Sequence, residues 1–359
     1  MQTRIPTGAH HRALQQSYLI ATFLGARPLS DLEIHNRLEI SGLSIGHQHD
    51  GVGKTGVSVI LCPQGAVGAA EVRGTATGTR QFDALVNPGH IASRVHGLVF
   101  AGGSGFGLAA ADGVVSFLEA MGSGFNAGIR QVPLVPTAIL FDLAFGDSQV
   151  APTAEMASQA ASMAIAGVQP MGSIGAGTGA TVGKAKGLTC AMKGGVGFTA
   201  SQLPGDPSTA ARVAVLAAVN ALGDIVSPST GQLIAGCRVS AEGTEWARAR
   251  RLLLDPPVEH AWDGNTTLIA VMTDAELSRN DLAKVCTMAF AGVSRAVDPA
   301  LTQYDGDLVV ALSTGGRSAH AHQVGVAAQA LVAEAIVAAV IHADGFGLLP
   351  SAKEGEPRS

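Results

Sequence analysis

Glycine is the residue type that most constrains how this 359-residue chain can fold. The chain contains 46 glycines, and only 4% of its residues are aromatic. Average proteins contain about 7% glycine. Because glycine has no side chain, so many glycines allow backbone elements to approach one another closely. This composition favours tightly packed α/β layers and leaves few aromatic surfaces on which nucleic-acid bases could stack.

The balance of charged and apolar residues excludes several classes of protein. Lys and Arg number 23 against 28 Asp and Glu, so the chain lacks the basic surface of a nucleic-acid-binding protein. A content of 47% hydrophobic and 14% charged residues excludes a disordered chain. No uninterrupted apolar run approaches the length of about 18 residues typical of a membrane span. The apolar run at 18–24 is short and follows a polar stretch, which argues against a signal peptide, so we predict a cytoplasmic protein.

The pattern along the chain predicts one α/β domain. β-like runs with glycine punctuation begin near residue 42, so we predict an N-terminal extension at 1–40 and a single domain at 41–359. Strands are predicted at 56–62, 96–100, 137–142, 213–220, 266–272 and 307–312. Helices are predicted after the glycine-rich turn 102–107, at 153–167, after a capping box that begins at Ser278, and at 318–343. The last 94 residues are too few and too apolar to fold alone, and we expect them to pack against the preceding 265.

Several common functional motifs are absent from the sequence. The four cysteines, at 62, 190, 237 and 286, are too far apart for a zinc motif and are expected to be small buried apolar residues. The 11 histidines lack the HExxH spacing, and no G-x-S-x-G motif occurs. The glycine-rich stretch 172–187 departs from a phosphate-binding loop at Thr178 and Ala185. We therefore predict no metal and no organic cofactor.

The junction at Asn265 and Thr266 separates two contrasting segments. Residues 238–263 include nine charged residues and a Pro-Pro pair, as a surface linker would, whereas a buried type of strand starts at Thr266. A threonine hydroxyl is a weak nucleophile that needs a nearby base. Cutting the chain before Thr266 would free its α-amine, whose ordinary pKa of about 7.7–8.0 suits that task. An ordinary turn into a strand could carry the same threonine.

Three further polar features lie at predicted strand ends. Asp305 and Asp307 are two residues apart at the start of a strand, so their side chains should point to one side. Together they could orient or deprotonate a hydroxyl, although an Asp-Gly turn before a strand would look the same. Asn220 closes a long apolar strand, and Lys184 lies in a glycine-rich one. Each of these two is also compatible with an ordinary boundary residue.

Taken together, these motifs resemble the L-aminopeptidase/D-esterase family, which includes the β-peptidyl aminopeptidases and the nylon-oligomer hydrolase. The resemblance extends collinearly over about residues 41–343. It is carried by GGSGFGLAAADGV at 102–114, VNALGD at 219–224, GNTT at 264–267 and DGD at 305–307. It implies a four-layer αββα sandwich similar to the N-terminal-nucleophile (Ntn) hydrolases. It also implies a precursor that cuts itself into a larger chain, 1–265, and a smaller chain, 266–359.

The resemblance also implies a role for each matching residue. Thr266 matches the nucleophile, Asn265 the last residue of the larger chain and Asn220 the group that stabilises the oxyanion. Lys184 matches a functional lysine, and Asp305 with Asp307 matches the acidic pair that orients the nucleophile. Phe141 departs from the pattern, because related enzymes have a tyrosine whose hydroxyl helps to hold the substrate or the oxyanion. Phenylalanine cannot donate that hydrogen bond.

The predicted function is that of a self-processing hydrolase of amide or ester bonds, most simply an aminopeptidase. An acyltransferase on the same scaffold and a non-catalytic protein that kept the fold are the alternatives. The sequence leaves the substrate open among α-peptides, β-peptides, D-esters and ω-amides. We also predict a homo-oligomer, specifically a tetramer, because the apolar helices at 153–167 and 318–343 carry more apolar surface than one domain face needs.

Overall fold

A computed structural model describes residues 32–255 and 264–353. The strands are β1 Arg37–Leu38, β2 Ser44–Asp50, β3 Thr55–Val72, β4 Gly78–Arg80, β5 Arg94–Ala101, β6 Phe125–Asn126, β7 Gln131–Val132, β8 Thr137–Ile139, β9 Gly167–Val168, β10 Thr181–Val182, β11 Met192–Lys193, β12 Gly195–Gln202, β13 Arg212–Asn220, β14 Asp224–Val226, β15 Leu233–Ala235, β16 Thr266–Ala275, β17 Val297–Asp298 and β18 Leu308–Arg317. The α-helices are α1 Asp83–Val86, α2 Ala110–Ala120, α3 Ala154–Ser162, α4 Ala249–Leu252, α5 Arg279–Ala296 and α6 Ala321–Ile341.

The main sheet runs in the order β12-β13-β16-β18-β3-β5-β8-β4, and β2 also pairs with β3. β16 and β18 are parallel, whereas β13 is antiparallel to β16. The 18-residue strand β3 connects two halves of this sheet. Its first part pairs with β2 and β5, and its last residues, 67–72, pair with β18. The register shifts between Leu61 and Ala66, where β3 passes from one half to the other.

Three apolar cores show that the two halves of the sheet pack face to face. The middle core joins Phe198 and Met272 of the first half to Ile60 and Phe100 of the second. A second core packs α5 and α6 on the outer face of β13, β16 and β18. A third core packs α2 and α3 on the outer face of β3 and β5. The layers are therefore helix, sheet, sheet and helix, and the predicted αββα sandwich is confirmed.

Close backbone contacts between the layers account for part of the high glycine content. A Cβ atom added to Gly197 in β12 would lie 1.9 Å from the Ala335 carbonyl oxygen of α6. One added to Gly113 in α2 would lie 1.7 Å from the Ala154 carbonyl oxygen of α3. Both distances are far below any real Cβ contact. The sequence therefore needs glycine at these positions for the helices to pack at this distance.

Helix α6 is long and apolar enough to span a membrane, with a mean hydropathy of 2.2 over its most apolar window. However, 78% of that window is buried inside the protein, so α6 is a core helix. Its apolar surface is largely covered by the chain's own sheet and by α5. The argument for an oligomer from this helix is therefore weaker than the sequence suggested, and the tetramer stays a prediction.

Several local predictions can be compared with the structure. The Ser278 capping box is present at the start of α5, and β13 matches the strand predicted at 213–220. β8 ends at Ile139, three residues earlier than predicted. Residues 32–40 of the predicted extension pack on the domain and bury Leu38 and Ile40, whereas residues 1–31 lie outside the described part.

Candidate active site

Thr266 is the first residue of β16, at the centre of the main sheet. It lies opposite Asn220 of the neighbouring strand β13 and is 3% exposed. Its hydroxyl donates a hydrogen bond of 2.5 Å to the carbonyl oxygen of Asn265. The long apolar runs of β13 and β16 hold this strand end rigidly, because both strands are covered on both faces. The hydroxyl is thus held beside the peptide bond that is the predicted cleavage site.

The Asn265 carbonyl oxygen also accepts a hydrogen bond of 2.7 Å from the backbone N–H of Gly306. Asn265 forms an isolated parallel bridge with Asp305, which brings the two segments together. A Cβ atom on residue 306 would lie 2.8 Å from the Thr266 hydroxyl oxygen, so glycine leaves room for that hydroxyl. The sequence analysis assigns no role to Gly306. The alternation of Asp-Gly-Asp was the one signal that could have revealed it.

Asp305 and Asp307 lie beside the nucleophile, just before β18, and both are buried. The Asp307 carboxylate accepts the Thr267 N–H at 2.6 Å and the Leu301 N–H at 3.3 Å. The Asp305 carboxylate accepts the Thr302 hydroxyl at 2.6 Å. Burial, and after it the negative charge of Asp305, raise the pKa of Asp307 to about 7. The pair therefore fixes the backbone next to Thr266, and the Asp307 carboxyl titrates near neutral pH.

A backbone segment at 73–76, which sequence reasoning missed, supports the acidic pair. The N–H groups of Arg73 and Gly74 donate to the Asp307 carbonyl oxygen at 3.1 and 2.9 Å. The next two N–H groups donate to the Asp305 carbonyl oxygen at 3.0 and 3.2 Å. A Cβ atom on Gly74 would lie 2.2 Å from the Asp307 nitrogen. These contacts join residues more than 200 positions apart, so no local sequence pattern predicts them.

Lys184 and Asn220 both donate hydrogen bonds to the carbonyl oxygen of Gly264, the residue before Asn265. The Lys184 Nζ donates to both the backbone and side-chain oxygens of Asn220, at 2.9 and 3.0 Å, and to the Gly264 carbonyl oxygen at 3.3 Å. The Asn220 Nδ2 donates to the same Gly264 oxygen at 3.0 Å and to the Phe141 carbonyl oxygen at 2.9 Å. In the intact chain, these two donors thus hold the carbonyl one residue before the predicted cleavage site.

Phe141 contributes its backbone as well as its ring to this region. Gly264 has a φ of +59°, and a Cβ atom on it would lie 2.3 Å from the Phe141 Cβ. The left-handed backbone and this close approach both favour glycine at position 264. Phe141 therefore packs against the segment that precedes Thr266, where the resemblance implies a tyrosine.

The structure brings all the predicted site residues to one end of the central strands. The site combines a buried hydroxyl beside a peptide carbonyl, a backbone N–H on that carbonyl oxygen, two buried carboxyls and a buried lysine. Within residues 32–255 and 264–353, no group of three or more His, Cys, Asp or Glu side chains is arranged to hold a metal ion. Chemically, the arrangement suits attack of an oxygen nucleophile on an acyl group.

The four layers of this chain form a fold of the Ntn-hydrolase kind. Two solved structures share the fold: a beta-aminopeptidase of Burkholderia sp., with a TM-score of 0.65 and 18% identity, and the L-aminopeptidase D-Ala-esterase/amidase of Ochrobactrum anthropi, with a TM-score of 0.67 and 16% identity. Each alignment covers 90% of this chain and 91% of the other. The second structure is described as a new variant among the Ntn hydrolase fold. At these identities the likeness shows the fold alone.

Residues 38–348 match Peptidase family S58, and the chain belongs to this family. An uncharacterized aminopeptidase of Mycobacterium leprae is 36% identical over 348 residues, covering 87% of this chain and 92% of that protein. The 6-aminohexanoate-oligomer endohydrolase of Paenarthrobacter ureafaciens is 29% identical over 293 residues, covering 77% and 74%. The predicted family and the prediction of a hydrolase are confirmed.

Proposed function

We propose that the chain is a self-processing aminopeptidase or amidohydrolase whose nucleophile is Thr266. The observation that carries this proposal is the position of the Thr266 hydroxyl, 2.5 Å from the Asn265 carbonyl oxygen. The same oxygen accepts the Gly306 N–H at 2.7 Å. One group can therefore attack this carbonyl while the other stabilises the negative charge that develops on its oxygen.

Self-cleavage in this proposal is an acyl shift from nitrogen to oxygen. The Thr266 Oγ attacks the Asn265 carbonyl carbon, and the Gly306 N–H binds the resulting oxyanion. The hydroxyl proton passes to the Thr266 nitrogen as the C–N bond breaks, which leaves an ester and a free α-amine. Water then hydrolyses the ester, so that Asn265 becomes a carboxylate and Thr266 regains its hydroxyl.

Turnover of a substrate would reuse the same hydroxyl. The Thr266 Oγ attacks an amide or ester carbonyl, and the α-amine of Thr266 takes the proton. When Gly264 withdraws after cleavage, Asn220 and Lys184 can donate to the substrate oxyanion instead of to the Gly264 carbonyl. Asp305 and Asp307 keep the nucleophile oriented. An acyl-enzyme forms, and water releases it without a metal or an organic cofactor.

The substrate class is proposed as small peptides or amides, in keeping with the aminopeptidase and oligomer-hydrolase names of the relatives. Transfer of the acyl group to an amine is the alternative outcome for the same intermediate. Hydrolysis of amino-acid p-nitroanilides with and without an added amine acceptor separates the two reactions. We further propose that the enzyme is cytoplasmic, forms a homo-oligomer and binds neither nucleic acid nor membranes.

A denaturing gel of the purified full-length protein, with N-terminal sequencing of the smaller band, tests the proposal. Cleavage before Thr266 should divide the 36.2 kDa chain into pieces of about 27 and about 9.5 kDa. The smaller piece should begin Thr-Thr-Leu-Ile. A single intact band after prolonged incubation would overturn self-processing, and an intact band that still hydrolyses substrate would overturn the N-terminal nucleophile.

A further inference from the structure

The Asn220 carboxamide is held from two sides by peptide groups of neighbouring segments. Its Oδ1 accepts the N–H of Thr181 at 2.9 Å, and its Nδ2 donates to the carbonyl oxygen of Phe141 at 2.9 Å. The first contact belongs to the peptide group that joins Ala180 to Thr181. The second belongs to the peptide group that joins Phe141 to Asp142. Whatever orients these two peptide groups also orients Asn220.

Lys193 orients the first of these peptide groups. This lysine is 0% exposed, and its Nζ donates to the carbonyl oxygens of Gly177, Ala180 and Gly194 at 2.8, 2.7 and 2.9 Å. The Ala180 oxygen and the Thr181 N–H belong to one planar peptide group. When Lys193 holds the oxygen, it therefore aims the N–H at Asn220. All three protons of the ammonium group are directed to carbonyls, so the cation is fully satisfied although it is buried.

Asp142 anchors the second peptide group. It is 4% exposed, and its carboxylate accepts the Gly103 N–H at 2.6 Å and the Thr55 hydroxyl at 2.8 Å. A Cβ atom on Gly179 would lie 2.6 Å from the Asp142 Cβ, so the loop that Lys193 holds packs directly on Asp142. The two anchors of Asn220 are therefore in contact through this loop.

The charges of the two residues also support each other. Burial raises the pKa of Asp142 to about 6, while the charge of Lys193 acts in the opposite direction. Burial lowers the pKa of Lys193 to about 7, and the charge of Asp142 again acts against the shift. Removing Lys193 would take away the positive charge that favours ionised Asp142, and removing Asp142 would leave Lys193 with the charge of Asp344 but without its main opposite charge.

We propose that Lys193 and Asp142 are positioning residues that set the orientation of the Asn220 carboxamide through the Ala180–Thr181 and Phe141–Asp142 peptide groups. This inference rests on the proposed function, in which Asn220 holds the Gly264 carbonyl before cleavage and stabilises the oxyanion afterwards. Without Lys193, the Ala180 oxygen would keep the Gly194 N–H at 2.8 Å but lose the ammonium group at 2.7 Å, so the Ala180–Thr181 peptide would be held less firmly. Asn220 would then lose its alignment although every residue that touches the reacting atoms is still present.

The rate of self-cleavage in Lys193→Met provides the main test, since methionine has a similar length and no charge. We expect the smaller chain to form about 10- to 100-fold more slowly, because a small misplacement of the Asn220 carboxamide lowers the rate at the reacting centre. Lys186→Met is the matched control, because Lys186 is exposed and donates to the Val239 carbonyl oxygen on the surface. For substrate hydrolysis, kcat should fall while KM stays within about twofold. Asp142→Asn, which keeps the shape, should act in the same direction and replaces Lys193→Met if that variant does not fold.

The same substitution in an Asn220→Ala background separates positioning from a general structural role. If Lys193 acts through Asn220, Lys193→Met should slow self-cleavage little further once Asn220 is absent. An equal slowing in both backgrounds, or a Lys193→Met rate equal to that of Lys186→Met, would overturn the inference while leaving the proposed function intact. Failure of the unmodified protein to cleave would instead overturn the proposed function, and this inference with it.

Discussion

At the scale of single residues, the site depends on one hydroxyl and on the groups that hold the peptide bond before it. Thr266 provides the hydroxyl, Gly306 contacts the carbonyl oxygen, and Lys184 with Asn220 holds the carbonyl one residue earlier. Each of these contacts involves the peptide backbone of the chain itself. Under the proposed function, the intact chain therefore occupies its own site, and substrate would enter only after the bond before Thr266 is cut.

Thr266→Ala should abolish self-cleavage, because it removes the hydroxyl that is held against the Asn265 carbonyl and acts as the nucleophile in the proposed mechanism. Thr266→Ser should cleave more slowly than the native protein, since it keeps a hydroxyl and, after cleavage, an α-amine. Denaturing gels over a time course give both rates. Thr244→Ala, at an exposed threonine in the linker, is the matched control and should cleave at the native rate. Cleavage of Thr266→Ala at the same bond would contradict this assignment.

The rate of self-cleavage should rise with pH through about 7, because the ionised Asp307 carboxylate is the better acceptor for the Thr267 N–H and so holds the backbone next to Thr266 more firmly. The precursor has no free α-amine at Thr266, so this measurement isolates the carboxyl. Asp305→Asn removes a neighbouring negative charge that raises the pKa of Asp307. The pH range over which the self-cleavage rate rises should therefore move to lower pH. The rate is measured from pH 5 to 9 by densitometry of the smaller chain.

The control for this pH profile is Asp206→Asn, which makes the same chemical change at an exposed aspartate. Its profile should match that of the native protein. If the pH range over which the rate rises stays in place or moves to higher pH in Asp305→Asn, the coupling between the two carboxyls is refuted.

At the scale of secondary-structure elements, glycine sets the distance between layers. β12 lies under α6 with Gly197 at the contact, and α2 crosses α3 at Gly113. The site is built where β13, β16 and β18 end together, so the position of the sheet under its helices also sets the position of Thr266. The packing of these elements and the geometry of the site are therefore linked.

Gly197→Ala should destabilise the protein by about 1–3 kcal/mol, because the new methyl group would overlap the Ala335 carbonyl oxygen. The free energy of unfolding is measured by urea titration in a Thr266→Ala background, which keeps the chain in one piece. Gly51→Ala is the control, since a Cβ atom there would meet nothing within 4 Å. Equal stability of the two variants would argue against the close contact between β12 and α6.

At the scale of the whole molecule, the two products of cleavage would stay together. The smaller chain supplies β16 and β18 in the middle of the main sheet and α5 and α6 on its outer face. These elements have no core of their own apart from the sheet that they complete. Separation would expose the largest apolar core, so we expect both pieces to remain associated without denaturant.

Thiol reagents should leave both activity and fold unaffected. All four cysteines are buried free thiols. Burial raises the pKa of Cys62 and of Cys286 to about 12, so the reactive thiolate is scarce at neutral pH. Titration with a chromogenic disulfide should detect four thiols in denaturant and almost none in the native protein. Rapid loss of activity on thiol modification would contradict a site built on Thr266.

Light scattering at micromolar concentration tests the predicted tetramer. The exposed apolar side chains that could support it include Met163, Ile165 and Val168, which are close together in sequence after α3 and are each about half exposed. A stable monomer mass would refute the prediction.

The sequence by itself indicated the main elements and the candidate site residues. Local patterns depend only on residues that are neighbours in the sequence. Three of them are the apolar runs of β13 and β16, the Ser278 capping box and the Asp-Gly-Asp motif. Only the tertiary structure decided which backbone groups serve the site. Gly306 on the Asn265 carbonyl, the segment 73–76 on the acidic pair, and Lys193 behind Asn220 all depend on contacts between residues far apart in the chain. Such contacts depend on how the layers pack, which is a property of the whole fold.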